Sequence, residues 1–418
     1  MHTLSDLKAG KLKGLTRLRL SEELTSFPSE VFELAGTLEI LDLSHNRLSE
    51  LPDLSRLKKL KIAFFSFNLF TKLPAAFKNC ENLYMLGFKA NQIEQFDEEI
   101  LPLGISWLIL TDNKIEVLPR SMGELSRLRK FPVAGNQLTT LPQEMSQCRN
   151  LELIRLSANR LTEIPDWLLQ LPKLSWLAFS GNPCSVTPDA VLDEVAYESL
   201  EMSELLGEGA SGQIYKGYDK SSEAEVAVKL FKGAVTSDGY AHDEMNAYMS
   251  TGEHPHLISV HAKIKGTEPL GLVLELIPSH YENLGLAPDF ETCTRDTFAE
   301  GTRFELETIY SVARAMVSAS EHLHARGLMH GDLYAHNILI NTEDQHCYFG
   351  DFGAASFYDV NNRGFEKIEV RAFGCLLDDL LMHCKDDASE EYRYIQELSQ
   401  RCMDEDVERR PLFKEIAL

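Results

Sequence analysis

Three oxygen-bearing side chains follow one another in the last third of the chain. Asp332 and Asn337 are five residues apart in HGDLYAHNILI, residues 330–340, and Asp351 follows in the triplet DFG. Carboxylate and amide oxygens accept hydrogen bonds and are preferred ligands of hard divalent cations. Residues of these types and spacing could therefore orient a hydroxyl group and hold a cation beside it.

A glycine-rich stretch lies upstream of these residues. GEGASGQIYKG, residues 207–217, has the spacing G-x-G-x-x-G. Such a turn lets backbone N–H groups approach phosphates, but the same spacing also occurs at dinucleotide sites and in plain turns. Lys229, in EVAVKL, decides between them, because it lies on a predicted strand 22 residues after Gly207, where a dinucleotide-binding unit would have a helix.

Together these motifs resemble the eukaryotic-type protein kinase over roughly residues 200–418. The resemblance implies a two-lobed fold, with ATP and Mg²⁺ as cofactors. Phosphoryl transfer depends mainly on positioning and on neutralising developing charge. The catalytic residues that the resemblance implies are Lys229, Glu244, Asp332, Asn337 and Asp351.

Each of these residues has an implied role. Lys229 would clamp the α- and β-phosphates and would itself be held by Glu244, in HDEMNAYM. Asp332 would accept the hydrogen bond of the incoming hydroxyl. Asn337 and Asp351 would bind Mg²⁺ through oxygen.

The resemblance also implies a nucleotide pocket. Leu274 takes the gatekeeper place beside the adenine, and the backbone of Glu275 and Ile277 is expected to bind the adenine edge. His330 is predicted to be structural, packing beneath the catalytic loop and Phe352. The expected nucleotide-binding residues are Gly207, Gly209, Gly212, Ile214, Ala227, Lys229, Leu274, Glu275, Ile277 and Leu339.

The segment around the catalytic motifs departs from the family. Gly331 replaces the Arg that would pair with a phosphate on the activation loop, so activation by that route is not expected. No A-P-E triplet follows DFG, and Glu369 in EVRAFG replaces an Asp. Arg410 therefore lacks its family partner, and Glu366 or Asp359 is expected to serve it. Docking of a peptide in the usual groove is thus in doubt.

The first part of the chain is a repeat array. One column of asparagines closes the pattern L-x-x-L-x-L-x-x-N at intervals of 22 or 23 residues. This resembles the leucine-rich repeat, which implies a curved solenoid of short strands whose Asn side chains bind the turn backbone. About eight repeats are expected. The asparagines are Asn46, Asn68, Asn91, Asn113, Asn136, Asn159 and Asn182.

An apolar stripe is predicted on the inner face of the solenoid. Alternate side chains of each strand should point away from the core onto a wet surface. We expect the stripe to bind a protein segment, from a partner or from the chain's own second domain. The alternative is a surface shielded by curvature or self-contact. The candidate residues are Ile40, Ile62, Phe64, Met85, Trp107, Ile109, Leu153 and Trp176.

Charge and composition separate two domains. Residues 1–185 carry 22 basic and 21 acidic side chains, whereas residues 186–418 carry 19 and 43. This excess of negative charge argues against nucleic acid as a partner. The prediction is an α/β plus α+β chain, expected in the cytoplasm or delivered into another cell, without a membrane span. Its parts are a solenoid, 1–185, a linker, 186–200, and a kinase-like domain, 201–418, with lobes 201–277 and 278–418.

Three functions stay open at this stage. The intact catalytic set favours a protein kinase, whose repeats recruit a partner or substrate. A small-molecule kinase of the aminoglycoside or choline type is the second candidate, and a non-catalytic ATP-binding scaffold is the third. Family frequency favours a serine or threonine acceptor, although Tyr334 stands where such kinases carry Lys, and Y-A-H-N is closer to the A-A-R-N of tyrosine kinases.

Overall fold

A computed structural model describes most of the chain. It divides into two compact units, residues 1–171 and residues 172–418, which are described in turn. Among the described residues, no helix is long and apolar enough to cross a membrane. The residues described are 2–186, 188, 192–209, 211–232, 235–236, 238–266 and 270–418.

The first unit is built from short parallel strands that pair in chain order. Each leads through a turn, in several repeats a 3₁₀ helix, to the next. The strands are β1 Arg17–Arg19, β2 Ile40–Asp42, β3 Ile62–Phe64, β4 Met85–Gly87, β5 Trp107–Ile109, β6 Lys130–Pro132 and β7 Leu153–Arg155. The helices are α1 Leu4–Lys8 and α2 Asp166–Leu169, with 3₁₀ helices at Ser29–Leu34, Ala75–Phe77, Arg120–Glu124 and Gln143–Gln147.

The asparagine column joins neighbouring repeats, as the resemblance implied. Asn113 donates from Nδ2 to the carbonyls of Phe88 (2.9 Å) and Leu110 (3.0 Å), and its Oδ1 accepts from the Ile93 N–H at 3.0 Å. Asn68, Asn91 and the others make the same kind of bonds. Buried backbone groups at each turn are thereby satisfied, and each such bond contributes about 1 kcal/mol net.

The prediction that the apolar stripe is exposed is wrong. Neighbouring strands lie about 4.8 Å apart, so side chains of successive repeats cover one another. The ring of Phe64 closes over Gly87, and the Lys130 ammonium lies 4.2 Å from the centre of the Trp107 ring. The buried members are Ile62, Met85, Leu153 and Trp176, and the half-buried ones are Ile40, Phe64, Trp107 and Ile109.

The second unit contains a six-stranded sheet, which follows strand β8 Trp176–Ala178 along the chain. The strands of the sheet are β9 Glu194–Ala196, β10 Leu200–Glu208, β11 Gly212–Asp219, β12 Ala224–Phe231, β13 Val260–Lys265 and β14 Gly271–Leu274. They pair in the order β10-β11-β12-β14-β13-β9. The predicted linker supplies the edge strand β9, which runs parallel to β13. One helix, α3 Ala241–Ser250, follows β12. A 3₁₀ turn at Tyr197–Ser199 links β9 to β10.

The remainder of the second unit is mainly helical. Its long helices, α4 and α5, bury most of their apolar side chains against each other and against the strands that follow α4. The helices are α4 Leu306–His324, α5 Gly364–Met382 and α6 Glu390–Cys402. The strands are β15 Tyr281–Asn283, β16 Leu328–Met329, β17 Ile338–Asn341, β18 Cys347–Phe349 and β19 Ser356–Phe357. Short 3₁₀ helices lie at Ala335–Asn337, Phe352–Ala354, Val407–Arg409 and Phe413–Glu415.

The last of the predicted repeats lies within the second unit. Residues 172–185, which we call the closing segment, contain β8 and the final asparagine of the column. Their strand packs against α5. The strand that ends the repeat pattern is therefore part of the compact unit that also holds the catalytic motifs.

Candidate active site

Lys229 and Glu244 form a buried ion pair. Lys229 lies in β12 and Glu244 in the first turn of α3, and the Lys229 ammonium donates to Oε1 of Glu244. Their side chains are only 5% and 3% exposed. Burial by itself would lower the pKa of Lys229, but Tyr248, Glu244 and Asp351 outweigh it and raise the pKa. The ammonium is therefore a fixed positive charge, suited to a phosphate group.

Asp351 is held in a left-handed backbone conformation, with φ of 60°. Its N–H donates to the Tyr248 hydroxyl at 3.1 Å, and its carboxylate accepts from the Gly353 N–H at 3.3 Å. The ring of Phe352 lies between those of Tyr248, at 4.8 Å, and His330, at 4.7 Å. These contacts fix the direction of the Asp351 side chain, and such strained conformations are typical of functional sites.

His330 is structural, as predicted. It is fully buried, its Nε2–H donates to the Gly350 carbonyl at 3.0 Å, and its Nδ1 accepts from the Asp332 N–H at 3.3 Å. Burial lowers the pKa of this imidazole, so the ring is neutral. Glu369, from α5, accepts from the N–H groups of His330 (3.2 Å) and Gly331 (2.7 Å). A buried carboxylate from α5 thus fixes the backbone at the start of the catalytic loop.

Asp332 and Asn337 are joined across the catalytic loop. The Asn337 amide nitrogen donates to the Asp332 carbonyl at 2.9 Å and lies 3.3 Å from its carboxylate. Since the nitrogen is turned toward Asp332, the amide oxygen faces the other way. Asn337 and Asp351 line the same cavity. Two hard oxygen donors in this arrangement fit a divalent cation such as Mg²⁺.

A cavity of about 410 Å³ contains most of the predicted nucleotide-binding residues. It lies between the sheet and the catalytic loop. The predicted residues that line it are Gly207, Gly209, Gly212, Ile214, Lys229, Leu274, Asn337, Leu339 and Asp351. The lining residues that sequence reasoning missed are Glu208, Ser211, Tyr248, Ile258, Asn283, His336 and Gly350. Tyr248 could have been found, because it lies one helical turn after Glu244 and so on the same face of α3.

Three predicted nucleotide-binding residues lie outside this lining. Ala227 is buried in β12 opposite Leu274 of β14. The Glu275 N–H donates to the Ser259 carbonyl at 2.9 Å, so only its carbonyl oxygen is left to bind an adenine edge. Ile277 follows in the connection to the second lobe. The adenine contacts of Glu275 and Ile277 stay a prediction.

His336 gains a partner that the sequence did not indicate. Its Nδ1 lies 2.6 Å from the Asp296 carboxylate, which also accepts from the Ala335 N–H at 2.5 Å. Burial would lower the pKa of His336, but the hydrogen bond and charge of Asp296 outweigh it and raise the pKa. The ring also packs against Tyr334 at 4.9 Å. Asp296 therefore fixes the orientation of the residue next to Asn337.

Comparison with known families agrees with this geometry. Residues 200–373 match the family described as the protein kinase domain. Residues 37–57 and 126–183 match two families of leucine-rich repeat. The chain carries leucine-rich repeats followed by a protein kinase domain.

Several curated proteins are similar to the kinase domain. The negative regulator of sexual conjugation and meiosis of Schizosaccharomyces pombe is 26% identical over 40% of this chain and 34% of its own length. The putative L-type lectin-domain containing receptor kinase V.6 of Arabidopsis thaliana is 30% identical over 43% and 33%. The Arabidopsis serine/threonine-protein kinase AtPK1/AtPK6 is 27% identical over 40% and 34%. The chain spans about a third of the length of each of these relatives.

In the kinase domain, the structure gives a reason for glycine at position 331 that the sequence did not show. Its φ is 75°, a conformation that favours glycine. A Cβ atom added to it would lie 2.6 Å from the Leu177 carbonyl oxygen and 2.7 Å from that of Ala354. No side chain fits without a shift of the backbone, so packing excludes the Arg of the family pattern at this position.

Arg410 of the second unit is held by backbone carbonyls. The prediction that Glu366 or Asp359 serves it is wrong, because Glu366 instead accepts from the Phe413 N–H at 2.9 Å and Asp359 accepts from Asn361 at 2.9 Å. Burial and the nearby Arg371 lower the pKa of Arg410 to about 10, so it stays charged at neutral pH. The carbonyls belong to Pro172 (2.7 Å), Asp404 (2.9 Å) and Lys367 (3.2 Å).

Proposed function

We propose that this chain is an ATP-dependent protein kinase that uses Mg²⁺ and transfers the γ-phosphate to a protein hydroxyl, with serine or threonine preferred. The observation that carries the proposal is that Lys229, held in a buried ion pair with Glu244, lines one cavity together with the oxygen donors Asn337 and Asp351. The packed ring of Phe352 supports it, because it holds Asp351 in place.

Three residues of the cavity lining, Lys229, Asn337 and Asp351, divide the work of phosphoryl transfer with Glu244, which pairs with Lys229, and with Asp332, which is bonded to Asn337. Lys229 binds the nucleotide phosphates, and Glu244 keeps its ammonium in position. The Asn337 and Asp351 oxygens would hold Mg²⁺, which would neutralise charge on the phosphates when bound. Asp332 accepts the hydrogen bond of the acceptor hydroxyl and orients it for attack. Positioning and fixed charge supply most of the catalysis in this scheme.

The repeats are proposed to recruit the substrate or another protein partner through their inner face. The half-buried Phe64 and Ile109 belong to the apolar stripe. Close to it in sequence, Phe67 and Leu69 are 45% and 44% exposed, and Phe67 stacks on His45. Exposed apolar groups that lie together are typical of binding surfaces.

A small-molecule acceptor is the second candidate. It is favoured by the closing segment, whose Trp176 ring lies flat on Tyr334, two residues after Asp332. A protein substrate would have to reach Asp332 beside this pair. A small alcohol would need less room.

Incubation of the full chain with labelled ATP and Mg²⁺ tests the proposal. A basic protein and a set of small alcohols are offered separately as acceptors, and ATP binding is measured in parallel. We expect label on protein, and we expect Asp332→Asn to lower the rate at least about 100-fold while ATP still binds. Asp344→Asn, at an exposed turn, is the matched control and should keep full activity.

The other outcomes have defined meanings. Transfer to alcohols alone would replace the protein kinase by the small-molecule kinase. ATP binding without transfer to any acceptor would indicate a scaffold, and the proposed function would be abandoned.

A further inference from the structure

Trp176 of the closing segment contacts the catalytic loop directly. Its indole N–H donates to the Leu333 carbonyl at 3.2 Å, and its ring is stacked on Tyr334 with centres 4.5 Å apart and planes 5° from parallel. Trp176 is 1% exposed. Leu333 and Tyr334 directly follow Asp332, so the indole fixes the backbone on the C-terminal side of that carboxylate.

The closing segment also binds the strand that follows Asp351. The Phe179 N–H donates to the Ser356 hydroxyl at 2.8 Å, and the Ser185 hydroxyl donates to the Phe357 carbonyl at 3.2 Å. Ser356 and Phe357 form β19, which pairs with β16 just before the catalytic loop. The strand after Asp351 is therefore held on one edge by β16 and on its other side by the closing segment.

The closing segment is itself anchored to the helical lobe. The Arg371 guanidinium, from α5, donates to the Pro172 carbonyl at 3.1 Å and to the Ser175 hydroxyl at 2.6 Å. Arg410 binds the same carbonyl at 2.7 Å. Near the middle of the segment, the Leu177 carbonyl oxygen would lie only 2.6 Å from a Cβ atom added to Gly331. The half-buried guanidinium of Arg371 and the buried one of Arg410 thus fix one end of the segment, and the catalytic loop touches its middle.

We propose that Trp176 is a positioning residue for Asp332 and that the closing segment holds the catalytic loop and β19 in their active arrangement. The inference rests on the proposed function. In the family pattern, an Arg at position 331 would bind a phosphate on the activation loop and so hold the catalytic loop in place. We assign this support to the last repeat instead. Activity then requires no phosphate on the residues after Asp351, and it depends instead on an intact last repeat.

The expected effect of losing this support is on the chemical step. Displacement of a reacting group by about 1 Å costs a rate factor on the order of 100. The lining of the proposed nucleotide cavity contains no residue of the closing segment. Loss of Trp176 should therefore lower kcat and leave the KM for ATP nearly unchanged.

Full-length Trp176→Ala is compared with wild type in the kinase assay and in hydrogen exchange of residues 331–337. We expect kcat to fall about 10- to 100-fold, with ATP affinity within about twofold and faster exchange in the loop. Trp167→Ala is the control: this half-buried tryptophan belongs to α2, in the preceding repeat of the first unit. It should change neither kcat nor loop exchange.

Each result decides the inference. An unchanged kcat and unchanged loop exchange in Trp176→Ala would overturn it. If wild type transfers no phosphate, the proposed function fails, and loop exchange alone decides whether Trp176 positions the loop. If Trp176→Ala does not fold, Trp176→Phe is used instead. It keeps an aromatic face but loses the N–H to Leu333, and loop exchange equal to wild type would overturn the inference.

Discussion

Strands β5 and β8 occupy the same place in the repeat pattern and have different surroundings. Each begins with a tryptophan, Trp107 and Trp176. Trp107 is half-buried under the Lys130 ammonium of the next repeat, whereas Trp176 is buried against Tyr334 of the catalytic loop. The repeat position determines the backbone and the neighbours within the array. It does not determine what lies against a side chain, and at the last repeat that difference is the basis of the positioning role proposed for Trp176.

The largest expected difference is in stability. Trp176→Ala removes a fully buried indole with a hydrogen bond and should lower the free energy of unfolding of the second unit by about 3–5 kcal/mol. Trp107→Ala removes a half-buried ring and a cation–π contact, so we expect a loss of about 1–2 kcal/mol. Urea unfolding of the two variants measures both. Equal losses would show that the two tryptophans have equivalent environments after all.

Gly331 offers a sharper test of the contact between β8 and the catalytic loop. Gly331→Ala combines an unfavourable positive φ with close approach to the Leu177 and Ala354 carbonyls, so we expect a loss of about 2–4 kcal/mol. Gly301→Ala is the matched control, because Gly301 has φ of 80° but nothing within 4 Å of the added Cβ. It should cost only about 1 kcal/mol. Thermal unfolding of both proteins gives the comparison.

If Gly331→Ala is no less stable than Gly301→Ala, the Leu177 carbonyl does not restrict this position. The family's arginine, restored by Gly331→Arg, would then be tolerated. The glycine would in that case be explained only by the lack of a phosphate on the activation loop for an arginine to bind.

The smallest expected effect lies away from the closing segment and serves as a reference. His254 bonds to Ser318 at 3.0 Å and faces His256, His322 and Arg326. Burial, then the charges of these groups, lower its pKa to about 4. The uncharged ring is therefore favoured in the folded state, so stability is full above the ordinary pKa of about 6.5 and falls as the pH drops toward 4.

Because His254 is partly exposed, we expect this loss to be only about 1 kcal/mol. Urea unfolding at pH 7.5 and pH 5 measures it, and His254→Asn should reduce the difference between the two pH values. The same difference should appear in Trp176→Ala, since the two sites share no partner. A pH response that disappears with Trp176 would mean that the closing segment also supports the histidine contacts.

Local and periodic features could be predicted from the sequence. The asparagine column specified the repeats because each Asn bonds the turn of its own repeat and of a neighbour. The pairing of Lys229 with Glu244 was predicted correctly, although Asp243 stood beside it in the helix. In both cases the partners belong to motifs whose order and spacing along the chain are characteristic of a known family.

Contacts between distant parts of the chain could not be predicted in this way. Arg410 was expected to meet an acidic side chain, but a carbonyl from Pro172 reaches it from the end of the repeats. Gly331 was interpreted as a missing arginine, whereas its packing depends on Leu177. Trp176 was placed on an open surface by strand alternation alone. No spacing rule relates the last repeat to the catalytic loop, so these contacts required the structure.

Strand β9 has a mechanical consequence for the kinase domain. Ser185 is fixed to β19 in the helical lobe, and Glu194–Ala196 is fixed to β13 in the sheet lobe. The chain between them extends at most about 3.5 Å per residue. The two lobes are therefore joined twice by the covalent chain, once between Ser185 and β9 and once by the connection after Leu274, so any movement of one lobe relative to the other must be compatible with both connections.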